Sequence, residues 1–93
     1  MAVTVYIPTP FRRATQNRDR VVAEAGDVAE LLDRLEATYT GLRELVRDGE
    51  GHLHHHINIY VNSEAIEDLG GLGAPLRDGD EVAIIPALAG GQA

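Results

Sequence analysis

The apolar pattern predicts an α+β domain in which one helix packs across one sheet. Two kinds of periodicity carry that prediction. Segments near the start, in the middle and near the end alternate apolar and polar residues, whereas a single stretch from residue 28 to 39 repeats at helical spacing. A stripe of four or five apolar residues on one helix cannot bury itself, and the apolar faces of the strands are the natural surfaces for it.

The elements follow in order. Val3, Val5 and Ile7 alternate with Thr4 and Tyr6, a β-branched strand that Pro8 and Pro10 end because neither carries an amide hydrogen. Residues 9–18 read as a polar loop anchored by Phe11, and residues 19–24 as a second strand. Asp27 suits a helix N-cap, with Glu30 placed to reach back. Val28, Leu31, Leu32, Leu35 and Tyr39 form the buried stripe, while acidic residues and Arg34 fill the opposite face. Thr40-Gly41 ends this helix, and Leu42, Leu45 and Val46 allow a short helical turn before Asp48-Gly49-Glu50-Gly51. His56 to Asn62 is a strand with Ile57, Ile59 and Val61 on one face and Asn58, Tyr60 and Asn62 on the other. Glu64-Ala65-Ile66 is a short strand or turn. Gly70-Gly71-Leu72-Gly73 is a flexible link, and Leu76 plugs the core. Asp78-Gly79-Asp80 is a tight turn into the last strand, Glu81 to Pro86.

With 93 residues the chain fits one small domain, and no repeat or second domain is visible. The net charge of −7 is uneven: residues 1–23 carry +3, whereas residues 24–56 and 57–93 each carry −5. An acidic surface argues against nucleic acid or an anionic membrane as partner and suits a basic protein surface. Arg12-Arg13 and Arg18/Arg20 read as a solvated loop. The absence of cysteine excludes a disulfide, a thiolate nucleophile and a thiolate metal site. No signal peptide or membrane span is evident, so a cytoplasmic location and a monomer are the default expectations.

Four histidines, His52, His54, His55 and His56, have the chemistry of zinc, copper or nickel ligands. Adjacent strand residues point to opposite faces, so all four cannot converge, and only His54 and His56 can share a face. The expectation is loop histidines and no metal site. Asp78 and Asp80 read as turn chemistry, and the glycines at 70–73 lack the lysine and spacing of a phosphate loop. No catalytic constellation or resident cofactor is expected.

The remaining signal is Pro86-Ala87-Leu88-Ala89-Gly90-Gly91, followed by Gln92-Ala93. Two glycines make a slim thread able to enter a partner's active site, although glycine is also common in frayed termini. Joined to the preceding Asp-Gly-Asp-x-Val turn and strand, the motif becomes specific. Together with Val5-Tyr6-Ile7-Pro8-Thr9, the helix from Asp27 to Tyr39, Leu53-His54, Asn58-Ile59-Tyr60-Val61-Asn62, Gly70-Gly71-Leu72 and Leu76 to Pro86, it resembles the MoaD/ThiS family of ubiquitin-like sulfur carriers, and within it the CysO-like branch.

The resemblance covers nearly the whole chain. It implies a β-grasp fold, a mixed sheet of four to five strands on one main helix, over residues 1–86, with residues 87–93 as a flexible tail. It also implies a carrier, not an enzyme, whose terminal glycine carboxylate is adenylated with ATP by an E1-like enzyme and converted to a thiocarboxylate. In the CysO-like branch a pyridoxal-phosphate-dependent cysteine synthase takes the sulfur, and a JAMM-type zinc peptidase releases cysteine from the carrier; other branches feed other sulfur-accepting enzymes. On this chain the reactive position is Gly91, preceded by the tail residues Leu88, Ala89 and Gly90. The family pattern ends at the second glycine, so Gln92 and Ala93 are expected to be cleaved off first. Tyr60 and Leu88 are the candidate partner-binding residues. A ubiquitin-like modifier conjugated to lysines and a β-grasp interaction module are the alternatives.

Overall fold

The structure is a computed structural model and describes residues 1–86. Among these residues five strands form one sheet: β1 (Ala2–Tyr6), β2 (Arg20–Glu24), β3 (Ile57–Val61), β4 (Glu64–Ala65) and β5 (Glu81–Pro86). Their spatial order is β2-β1-β5-β3-β4. The β1–β5 pair is parallel and central, with Val5 opposite Val82, and the other pairs are antiparallel. The last strand is therefore inserted between the first and the third, with buried apolar residues on its helix side.

One face of the sheet carries Val3, Val5, Val82, Ile84, Ile57, Ile59 and Val61, all buried. Helix α1 (Val28–Thr38) lays Val28, Leu31, Leu32 and Leu35 against this face. Each such large side chain contributes about 1.5–3 kcal/mol when fully buried. Asp27 caps the helix by accepting the Glu30 amide at 2.8 Å. The reciprocal bond is displaced by one residue, because Glu30 accepts the Gly26 amide at 2.7 Å and not that of Asp27. Helix α2 (Leu42–Val46) buries Leu42 and Val46.

Two segments are more ordered than their sequences suggest. Residues Thr9–Thr15 form a 3-10 helix inside the expected loop, with Phe11 buried as its anchor. Thr15 is fully buried because its hydroxyl reaches the carbonyls of Arg18 at 3.0 Å and Arg12 at 3.3 Å. Gly71–Gly73 is a 3-10 turn, not an open link, and it leads through Ala74 to the buried Leu76. The polar face of α1 is not wholly solvated either. Glu36 is buried and lies 2.9 Å from Arg47, which also reaches Asp33 at 3.0 Å. Arg47 Nε and Glu36 Oε2 form a buried ion pair.

The turn before β5 is pinned to β1. Asp78 accepts the Ala2 amide at 2.9 Å, and the Gly79 amide donates to the Ala2 carbonyl at 2.8 Å. Gly79 sits at φ +89°, a conformation costly for any residue with a Cβ.

Candidate functional site

Alternation puts the second set of strand side chains on the face away from α1. There Tyr6, Tyr60, Ala83 and Ile85, with Asn62, Ser63 and Glu81, line a depression of about 340 Å³. The pairing explains the cluster: Tyr6 and Tyr60 both stand opposite Ala83, one from each side of β5. The small side chain at 83 leaves a trough between two phenol rings. Ile85 is 47% exposed at its edge. An exposed isoleucine beside two tyrosines is an apolar contact surface with hydroxyls, suited to a protein partner.

The floor of this depression is rigid at one end. Asn62 donates to Asp80 at 2.9 Å and accepts the Glu81 amide at 3.0 Å. Asp80 also accepts the Arg77 amide at 2.8 Å. Both Asp78 and Asp80 are thus engaged as turn acceptors. Asn62 and Ser63, at φ +50° and +74°, make the two-residue turn joining β3 to β4.

The open end of the face leads to Pro86, the last described residue, which pairs with Ile57. Tyr60 is thus placed on a concave apolar surface on the strand beside β5. The other positions singled out in the sequence, Leu88, Ala89, Gly90, Gly91, Gln92 and Ala93, lie outside the described residues. Sequence reasoning missed Tyr6 and Ile85 as neighbours of Tyr60. Their outward parity was readable, but their adjacency needs the β1-β5-β3 order.

The histidines precede β3, which begins at Ile57, one residue later than the sequence suggests. His54 and His56 do share a side, with ring centroids 5.3 Å apart and stacked. His54 Nε2 lies 3.0 Å from the Glu44 carbonyl. Among the described residues no group of three or more metal-binding side chains converges. No helix among them is long and apolar enough to cross a membrane.

Two carboxyls near loops are held below their ordinary range. Glu30 is lowered by the Gly26 amide and then by Arg34, and Asp48 by the Glu50 amide foremost. Glu36 moves the other way, because burial outweighs the attraction of Arg47. None of the three lines the sheet depression.

A last strand inserted between the first and third, over one main helix, defines a ubiquitin-like β-grasp domain. A model of the ThiS family matches residues 5–91. The sulfur carrier protein CysO of Mycobacterium tuberculosis is 43% identical over 93 residues, covering 98% of this chain and 100% of that protein. Small archaeal modifier protein 3 of Haloferax volcanii is 38% identical over 71 residues, 75% of each chain. Among solved structures, a chain of the Amycolatopsis orientalis BexX/CysO complex superposes with a TM-score of 0.88 at 42% identity, covering 96% of this chain and 99% of that one. The chain belongs to the ThiS family.

Proposed function

We propose that this chain is a sulfur carrier of the CysO type, a protein acted upon and not itself a catalyst. The observation that supports this most is the 43% identity to CysO along nearly the whole chain, together with a family match that reaches Gly91. Gly91 is the site of chemistry in this reading. It is followed by Gln92-Ala93, so its carbonyl is first freed by hydrolysis of the Gly91–Gln92 bond, the task of a JAMM-type zinc peptidase. The resulting carboxylate attacks the α-phosphate of ATP in an E1-like enzyme, pyrophosphate leaves, and an acyl-adenylate remains. A sulfide equivalent then displaces AMP and leaves a thiocarboxylate. A pyridoxal-phosphate-dependent cysteine synthase, or another sulfur-accepting enzyme, uses that sulfur.

The peptidase receives residues 87–93 and the later enzymes residues 87–91, whose slim Ala89, Gly90 and Gly91 suit a narrow channel. Tyr60, Tyr6 and Ile85 are the docking face, with Leu88 as a further contact. A structural neighbour is a chain from the BexX/CysO complex, which supports a carrier that docks as a folded unit.

The test is the intact mass of the protein taken from its native cells. The expected result is a species ending at Gly91, part of it heavier by exchange of one oxygen for sulfur. Only full-length protein retaining Gln92-Ala93 during sulfur demand would overturn the proposal. A second reading, conjugation to lysines through Gly91, is favoured by the 38% identity to a small archaeal modifier protein. Isopeptide-linked Gly91 on target lysines in denatured digests separates it from sulfur transfer.

A further inference from the structure

Strand β2 forms an outer edge of the sheet, and among the described residues nothing pairs with its far side. Hydrogen bonding fixes which groups it presents there. The Ile7 amide donates to the Asp19 carbonyl and the Ala25 amide to the Met1 carbonyl, both at 2.9 Å. Asp19, Val21, Ala23 and Ala25 therefore face β1, and by antiparallel alternation Arg20, Val22 and Glu24 turn their N–H and C=O groups outward. Their side chains also lie together on the face away from α1, beside Tyr6, Thr4 and Ala2. Val22 is 72% exposed, the most exposed large apolar residue among those described. Such an edge is a template for another strand unless a proline, lysine or bulge blocks it, and β2 has none of these.

The edge is complementary to itself. We propose that β2 pairs antiparallel with β2 of a second copy about a two-fold axis at Val22, joining the two sheets into one. In that register Val22 meets Val22 of the second copy, Arg20 faces Glu24, and Glu24 faces Arg20. Each facing pair exchanges both of its N–H···O bonds. The opposite charges stand directly across from each other on one face, the favourable arrangement for cross-strand pairs. Slipping the register breaks this match, and a large enough slip places Arg20 against Arg20. Below the edge, β2 and α1 leave a groove of about 290 Å³ lined by Val21, Ala23, Leu35 and Tyr39, which borders the seam on the helix side. Glu24 meets the N-terminal amine at 3.4 Å, but both groups are exposed, so that contact competes weakly. The dimer leaves the Tyr60 face and Pro86 of both copies open.

Sedimentation equilibrium of the full chain from micromolar to millimolar concentration tests this. The mass is expected to rise from 10.0 kDa towards twice that value. Arg20→Glu creates two like-charge contacts and should weaken dimerisation about tenfold or more. Val22→Lys, with two ammonium groups at the axis, should do the same. The exchanged double variant Arg20→Glu/Glu24→Arg keeps the net charge and should restore the wild-type dissociation constant. All three positions are exposed, and circular dichroism checks that the fold persists. A monomer throughout the range, a dimer indifferent to Arg20→Glu and Val22→Lys, or failure of the exchanged variant to rescue each overturns the proposal, as does capture of the edge by an unrelated extended peptide while the chain stays monomeric.

Discussion

Replacing Arg47 with Met tests the least ordinary feature of this small core. The change keeps the apolar stem and removes the cation that faces Glu36 at 2.9 Å. The side chains of Glu36 and Arg47 are only 8% and 11% exposed, so water cannot take the place of the lost partner. Breaking a buried pair from one side costs about 3–5 kcal/mol, because a desolvated charge is left behind. A domain of this size has roughly 5–15 kcal/mol in total. The melting temperature should therefore fall by roughly 10 °C or more. The cost should also depend on pH. Glu36 is already raised above the ordinary 4.5 by burial, and Arg47 is the main influence opposing that rise. A carboxyl raised in the folded state holds its proton more tightly there than in the unfolded chain. Its penalty is thus fully present above the folded value and vanishes as pH falls below 4.5. Urea titrations at neutral pH and near pH 4 measure the gap between Arg47→Met and the wild type. The gap should be largest at neutral pH and shrink in acid. The double variant Glu36→Leu/Arg47→Met, with no charge left to solvate, should return to within about 1–2 kcal/mol of wild type. A single-variant cost below about 1 kcal/mol, or one independent of pH, would refute the view that a desolvated carboxylate is held there.

Three further outcomes are expected. Leu31→Ala, at a fully buried position of α1, should cost about 3–5 kcal/mol in urea denaturation. Asp27→Ala removes the N-cap acceptor and should cost about 1 kcal/mol, with Asp27→Asn close to neutral. A Cβ at Gly79 meets nothing within 4 Å, so Gly79→Ala should cost only the conformational penalty of φ +89°, about 1–2 kcal/mol by thermal melting.

Much of this protein was written in local pattern. The parity of Val3, Val5 and Ile7 and of Ile57, Ile59 and Val61 fixed the buried sheet face, and the stripe from Val28 to Leu35 fixed the helix that covers it. The cap at Asp27, the turn at Gly79 and the anchor at Phe11 are short-range chemistry, and each lies where the residues indicate. Other features depended on neighbours distant in sequence. Asp33 and Glu36 meet Arg47, which returns to α1 from beyond α2. No periodicity encodes those encounters. The candidate docking face divides the same way. That Tyr60 points away from the core follows from strand alternation. That Tyr6, Ala83 and Ile85 join it follows only from the insertion of β5 between β1 and β3. Alternation is a property of one strand and travels with its sequence, whereas strand order is a property of the whole sheet, set by long-range pairing once the helix has a face to cover.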